Sequence, residues 1–214
     1  MLIYYNEVFM ISYIIDQVLY YIPSSGFNSN IYVFVKKALF DTGADSSHAQ
    51  KILDHFKSYD INIEKMIITH MHPDHAGNAD LFQEAFNADV YVHESAVKKF
   101  KYGDKIHGLK DGEILKIDEK NELEVIYTPG HTMTDICLYN AEHKILFSGD
   151  CIFANGNIGR TDFPGASHAK LIESIEKLTH YDVEILCAGH MNVVRTKGNE
   201  HVKMSLRFAK NIHG

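Results

Sequence analysis

The stretch THMHPDHAGN, Thr69 to Asn78, sets three histidines and one aspartate in six consecutive positions, His70 to His75. A regular element makes poor use of such a run. On a helix, residues i and i+2 point apart, so the pair His70 and His72 converges only from a loop. The apolar run KMIITH precedes it and reads as a buried strand, and Ala79 to Phe86 has helical periodicity. The cluster therefore sits on a strand-to-helix connection, where a rigid sheet can aim several side chains at one point. A plainer account makes it a polar turn, with Asp74 or Asn78 capping the helix that follows.

Other strand ends decide between the two accounts. Asp41 follows the apolar run ending LF, His131 lies in TPGHT, Asp150 ends KILFSGD, and His190 ends VEILCAGH. Imidazole and carboxylate are ligands of borderline metals such as zinc and iron. Of 14 histidines, five belong to this set; the other nine have no comparable company and read as surface or structural histidines.

The rest of the chain reads as alternating strands and helices. Residues 10–22 and 31–40 read as two strands joined by the turn PSSGFNSN, and the apolar start, Met1 to Gln17, reads as strand and not as a signal peptide or membrane span. Ala49 to Phe56 reads as a helix, ADVYVH as a strand, Glu94 to Phe100 as a helix, and residues 101–112 as a surface loop. EILKI, LEVIYTPG, DICLYN and KILFSGD follow as strands, SHAKLIESIEKL as an amphipathic helix, VEILCAGH as a strand and residues 199–212 as a last helix. Strands then helices, twice over, with no Pro/Gly/Ser linker in 214 residues, suit one layered α/β domain with two packed sheets and helices outside. A net charge of −7 offers no basic footprint for nucleic acid. Three widely spaced cysteines, Cys137, Cys151 and Cys187, make no disulfide framework and suit the cytoplasm.

From Asp41 to His190 the chain resembles the metallo-β-lactamase superfamily, most closely its glyoxalase II–like branch. The resemblance rests on Asp41, the His70-to-His75 cluster, His131, Asp150 and His190, and on GRTDFPG, Gly159 to Gly165, a run shared by glyoxalase II–like thioesterases and persulfide dioxygenases. Pro73 looks more like the hydrolases, whereas Asn78 after Gly77 and Met191 after His190 depart from the family pattern. The resemblance implies a four-layer αββα sandwich over residues 1–214, without the C-terminal helical domain of full-length glyoxalase II. It implies two divalent ions, zinc and/or iron: His70, His72 and His131 on one, Asp74, His75 and His190 on the other, Asp150 bridging, and Asp41 orienting a ligand histidine.

The activity so implied is hydrolysis of a thioester or related acyl ester on a small molecule, with no membrane partner. Asp74 and Asp150 hold the centre that keeps a metal-bound hydroxide; with two divalent ions its net charge is near +1, which suits a hydroxide at neutral pH. The alternative is a persulfide dioxygenase with one iron on His70, His131 and Asp150. Less favoured are a lactonase and a non-catalytic metal-binding protein. For the substrate, Arg160 either grips a carboxylate or pairs with Asp162; Phe153 and Phe163 either line a pocket or only pack; and Cys151 reads as a buried structural thiol and not as a ligand.

Overall fold

In the computed structural model, described here for residues 11–212, two sheets stack face to face, with helices on both outer surfaces. The expected strand over Met1 to Met10 lies outside the described residues. The first sheet contains β1 (Ser12–Ile15), β2 (Leu19–Ile22), β3 (Ile31–Phe34), β4 (Ala38–Phe40), β5 (Lys65–Ile67), β6 (Asp89–His93) and β7 (Ile106–Leu109), side by side in that order. Its first half is antiparallel and β4 to β7 run parallel. The second sheet runs in the order β12 (Ile185–Ala188), β11 (Ile145–Gly149), β10 (Ile136–Asn140), β9 (Glu122–Tyr127), β8 (Ile114–Lys116). Only its β11–β12 pair is parallel.

Three apolar layers follow from this stacking. Phe34, Phe40, Ile67, Val125, Leu138 and Phe147 fill the space between the sheets, where the rings of Phe40 and Phe147 stack. Outside the first sheet pack α1 (Ser46–Ser58) and α3 (Ala79–Phe86), and outside the second α4 (His168–Leu178) and α5 (Gly198–Asn211). α1 shows why the sequence gives helix here. Asp45 caps it by accepting from the Ser47 and His48 amides, and Ala49, Ile52, Leu53 and Phe56 form its buried stripe at i, i+3, i+4 and i+7. The αββα expectation thus matches the architecture.

Several elements differ from the sequence reading. Of the segments 10–22 and 31–40, each read as one strand, Ser12–Ile22 and Ile31–Phe40 are each a hairpin. Gln17 turns the first and Val35 and Lys36 the second, all three at positive φ. None is the Gly or Asn that usually signals such a turn. The segment 101–112, read as loop, contains β7, which completes the sheet through parallel pairing with β6. Glu94–Lys99 is a 3-10 helix and not a full α-helix, and the strand in KMIITH stops at Ile67.

Candidate metal centre

The site forms where β4, β5, β11 and β12 end and where the loop after β9 passes over them. Asp41, just past β4, adopts a left-handed backbone with φ 57°. That conformation is uncommon outside glycine, and Asp is among the residues that tolerate it. It aims the carboxylate across the end of β5. Asp41 Oδ1 accepts from the Thr69 amide at 2.8 Å, and Oδ2 lies 2.8 Å from His75 Nδ1. The two halves are also joined directly, since the Ile136 amide at the start of β10 donates to Thr69 O at 3.0 Å.

His70, Met71 and His72 form the connection into the single-turn helix α2 (Pro73–Ala76). Neither Asp74 nor Asn78 acts as the cap that the plainer account requires. Asn78 Nδ2 instead donates to the carbonyls of Thr42 and Asp45, and no side chain caps α2 or α3.

Hydrogen bonds fix which ring nitrogens face inward. A carbonyl or carboxylate oxygen can only accept, so His131 Nδ1 donates to Arg160 O at 2.7 Å and His75 Nδ1 donates to Asp41. The Thr69 hydroxyl donates to Asp41, so it accepts from His70 Nδ1 at 3.2 Å. In the neutral form of all three rings Nε2 keeps a free lone pair, the arrangement metal-binding histidines use.

Those lone pairs converge. His72 Nδ1 lies 3.1 Å from His70 Nε2 and 2.8 Å from His131 Nε2. On the other side, His190 Nε2 lies 3.3 Å from His75 Nε2 and 3.0 Å from Asp74 Oδ2. Asp150 stands between the groups, with Oδ1 3.2 Å from His75 Nε2 and Oδ2 3.6 Å from His131 Nε2 and 3.5 Å from His190 Nε2. Asp150 Oδ1 is buried and, despite the nearby imidazole, receives no well-directed hydrogen bond.

His70, His72 and His131 form one set of potential donors and Asp74, His75 and His190 another, each set lying within 4.8 Å. Nitrogens bound to a tetrahedral zinc at about 2.0–2.1 Å sit roughly 3.3 Å apart, so these spacings fit metal ions. The orphaned oxygen of Asp150 fits a bridging donor as well. All seven side chains named from the sequence therefore come together. Glycine at 189 makes the approach possible, because a Cβ there would collide with Asp150 Oδ1 and His75 Cε1.

The electrostatics follow from burial and from neighbouring charge. Burial, reinforced by the surrounding imidazoles, holds the His70 pKa well below its ordinary value, which keeps the ring neutral. His72 is lowered by burial and by His131. Burial also opposes charge on His75, but the carboxylates of Asp150 and Asp41 prevail and raise it well above the ordinary value. Burial penalises charge on Asp150 too, yet His75, His190 and His131 hold its carboxyl below the usual range.

Of the substrate candidates, Arg160 pairs with Asp162 at 2.9 and 2.6 Å, and its guanidinium lies 4.5 Å from the centre of the Phe163 ring. Phe153 is buried and Phe163 partly exposed, and both line a 720 Å³ cavity that opens on the metal centre. Cys151 is fully buried, and hydrogen bonding to Cys137 together with burial pushes its thiol pKa well up.

Two supports escaped the sequence reading. Asn30 Nδ2 donates to Ala188 O at 3.0 Å and Met191 O at 2.8 Å, and its amide donates to Gly189 O, gripping the loop that carries His190. Asp135 is buried and accepts from the Thr132 amide at 2.6 Å and the Thr132 hydroxyl at 2.5 Å, fixing the loop that carries His131. An Asn in a turn-like run and an Asp before a strand look ordinary in sequence; only their burial distinguishes them.

Residues 25–190 match the family described as the metallo-beta-lactamase superfamily. Hydroxyacylglutathione hydrolase GloC of Haemophilus influenzae is 31% identical over 192 residues, spanning 79% of this chain and 88% of that protein. The structure of BLEG-1 B3 metallo-beta-lactamase superposes with a TM-score of 0.74 at 28% identity, covering 86% of this chain and 96% of the other. TTHA1623, solved in a di-iron-bound form, gives 0.68 at 25% identity, covering 84% and 96%. Among the described residues, no helix is long and apolar enough to cross a membrane.

Proposed function

Because the chain belongs to the metallo-β-lactamase superfamily, we propose that it is a metal-dependent hydrolase of thioesters or related acyl esters in the glyoxalase II–like branch. The observation that carries this reading is the pair of donor sets flanking Asp150. His70, His72 and His131 would hold one divalent ion, Asp74, His75 and His190 a second, and Asp150 both. When bound, such ions lower the pKa of water enough to supply hydroxide near neutral pH and attract a carbonyl oxygen.

The chain's own part is orientation and exclusion of water. Asp41 fixes the His75 tautomer, Arg160 O fixes that of His131, and Thr69 passes the hold of Asp41 on to His70. Phe153 and Phe163 give the centre an apolar wall on its cavity side. One iron on His70, His131 and Asp150, as in persulfide oxidation, would leave the convergence of Asp74, His75 and His190 without a task. GloC carries hydrolase in its name, and TTHA1623 is described as di-iron-bound, which supports the two-ion reading.

The test is thiol release from a thioester by protein loaded with zinc or iron. Chelation should abolish it. His190→Ala should lower kcat/KM by about 100-fold or more while leaving the chain folded, because His190 comes from a late loop and not from the core. Loss of the fold together with activity would count against this role.

A further inference from the structure

Two cavities lined by described residues adjoin the centre. The 720 Å³ cavity is walled by Phe27, Phe153, Ile158, Phe163 and Met191, and a second, of 300 Å³, is lined by Met71, Lys99, Met133 and Pro164. Both share His72, His131 and Phe163. The Phe163 ring stands edge-on to both imidazoles, with centroids 5.5 Å from His72 and 5.9 Å from His131, and so divides the two spaces at the metal centre.

Their chemistry differs. The only Lys or Arg in the larger cavity among the described residues is Arg160, and its guanidinium is engaged by Asp162 and lies against Phe163. Six of its lining residues are apolar: Phe27, Pro73, Phe153, Ile158, Phe163 and Met191. In the smaller cavity the only Lys or Arg among the described residues is Lys99, which ends the 3-10 helix after β6 and makes no ion pair among those residues. A substrate spanning the centre therefore meets a larger, mostly apolar surface on one side and, on the other, a smaller one in which Lys99 stands beside Met71, Met133 and Pro164.

Building on the hydrolase reading, we propose that the substrate is a two-armed thioester: an apolar acyl chain in the Phe27–Phe153 cavity and a short leaving thiol with a carboxylate in the Lys99 cavity. Water adds to the acyl carbon and the C–S bond breaks, its electron pair leaving with sulfur. The products are a carboxylate, a thiol and a proton. Lys99 lies outside both donor sets and acts on binding of the leaving arm.

Four substrates separate the arms: S-hexanoyl and S-acetyl esters of mercaptoacetate and of its neutral isostere mercaptoacetamide. With metal-loaded protein, kcat/KM should favour hexanoyl over acetyl by about tenfold or more. It should favour mercaptoacetate over mercaptoacetamide by about fivefold, the scale of an exposed ion pair. Lys99→Met should erase the second preference and keep the first. Phe27→Ala, at a side chain 71% exposed, should shrink the first and keep the second. Equal rates on all four esters, or an unchanged carboxylate preference in Lys99→Met, would overturn the assignment. If none is hydrolysed, the hydrolase reading fails, and binding of the thioether S-hexylmercaptoacetate then decides the cavities by calorimetry. Binding about fivefold tighter to wild type than to Lys99→Met upholds them; equal binding, or none, overturns them.

Discussion

Asp41 lies outside both donor sets yet determines which nitrogen His75 presents. Replacing it with Asn keeps the size but offers an NH₂ where His75 Nδ1 now donates. The ring would then carry its proton on Nε2 and lose its lone pair toward Asp74 and His190. Asp41→Asn should weaken binding at that side of the centre by roughly 10–100-fold, the usual cost of losing such a support, with the chain still folded. Competition against a chelator measures this, and unchanged affinity would contradict the tautomer argument. Asp135 supports the centre differently. Burial, against the two hydrogen bonds from Thr132, pushes its carboxyl pKa from an ordinary 3.8 up to about 7. A carboxyl whose folded value is raised contributes stability that is fully present below about 3.8 and lost as pH rises through about 7. Asp135→Asn mimics the neutral form, so its melting temperature should gain on wild type as pH rises from 5 to 8, measured in chelator. A gap independent of pH would show that Asp135 is not held protonated. The donors themselves were legible in sequence because His and Asp gather just past apolar runs. Asp135 and Asn30 were not, because burial is a property of the packed chain.

At the scale of elements, the long amphipathic helices and the buried strands were readable from their periods, since each buries a face that the sequence spells out. α1 and α4 are such cases, with buried stripes at helical spacing. The hairpin turns at Gln17 and at Val35–Lys36 were not readable, because strand pairing imposes positive φ on residues that rarely choose it. β7 was hidden for a related reason: its pattern is weak, and its partner β6 supplies the order. The same dependence on neighbours holds the loop after β12. Asn30, just before β3, ties that loop to the opposite sheet by three hydrogen bonds. Asn30→Ala would take the side-chain donor from Met191 O and leave Ala188 O with the Tyr32 hydroxyl alone, at a cost of about 1–3 kcal/mol. It should lower the urea midpoint and also loosen metal held by His190, read as faster loss to chelator. A stability loss with unchanged metal release would mean that the loop holds its shape without Asn30.

For the whole molecule, the order of strands and helices implied two packed sheets with outer helices, and that is the arrangement found. The reason is that each sheet has two buried faces, one against the other sheet and one against helices, and both leave apolar runs in sequence. Phe153 and Phe163 were candidates in sequence, but Phe27 and Lys99 were not, because they come from distant parts of the chain brought to the site only by that packing. The fold sets five loops around one point, and the central claim is that two ions held there hydrolyse an acyl bond. The most direct measurement is metal content per chain alongside thioester hydrolysis, for wild type and Asp74→Ala. The account predicts two ions per wild-type chain with hydrolysis, and in Asp74→Ala close to one ion with kcat/KM down by about 100-fold or more. One iron per wild-type chain, oxygen uptake with a persulfide, no hydrolysis of thioester or lactone, and an Asp74→Ala variant that keeps its iron and its oxygen uptake would contradict it.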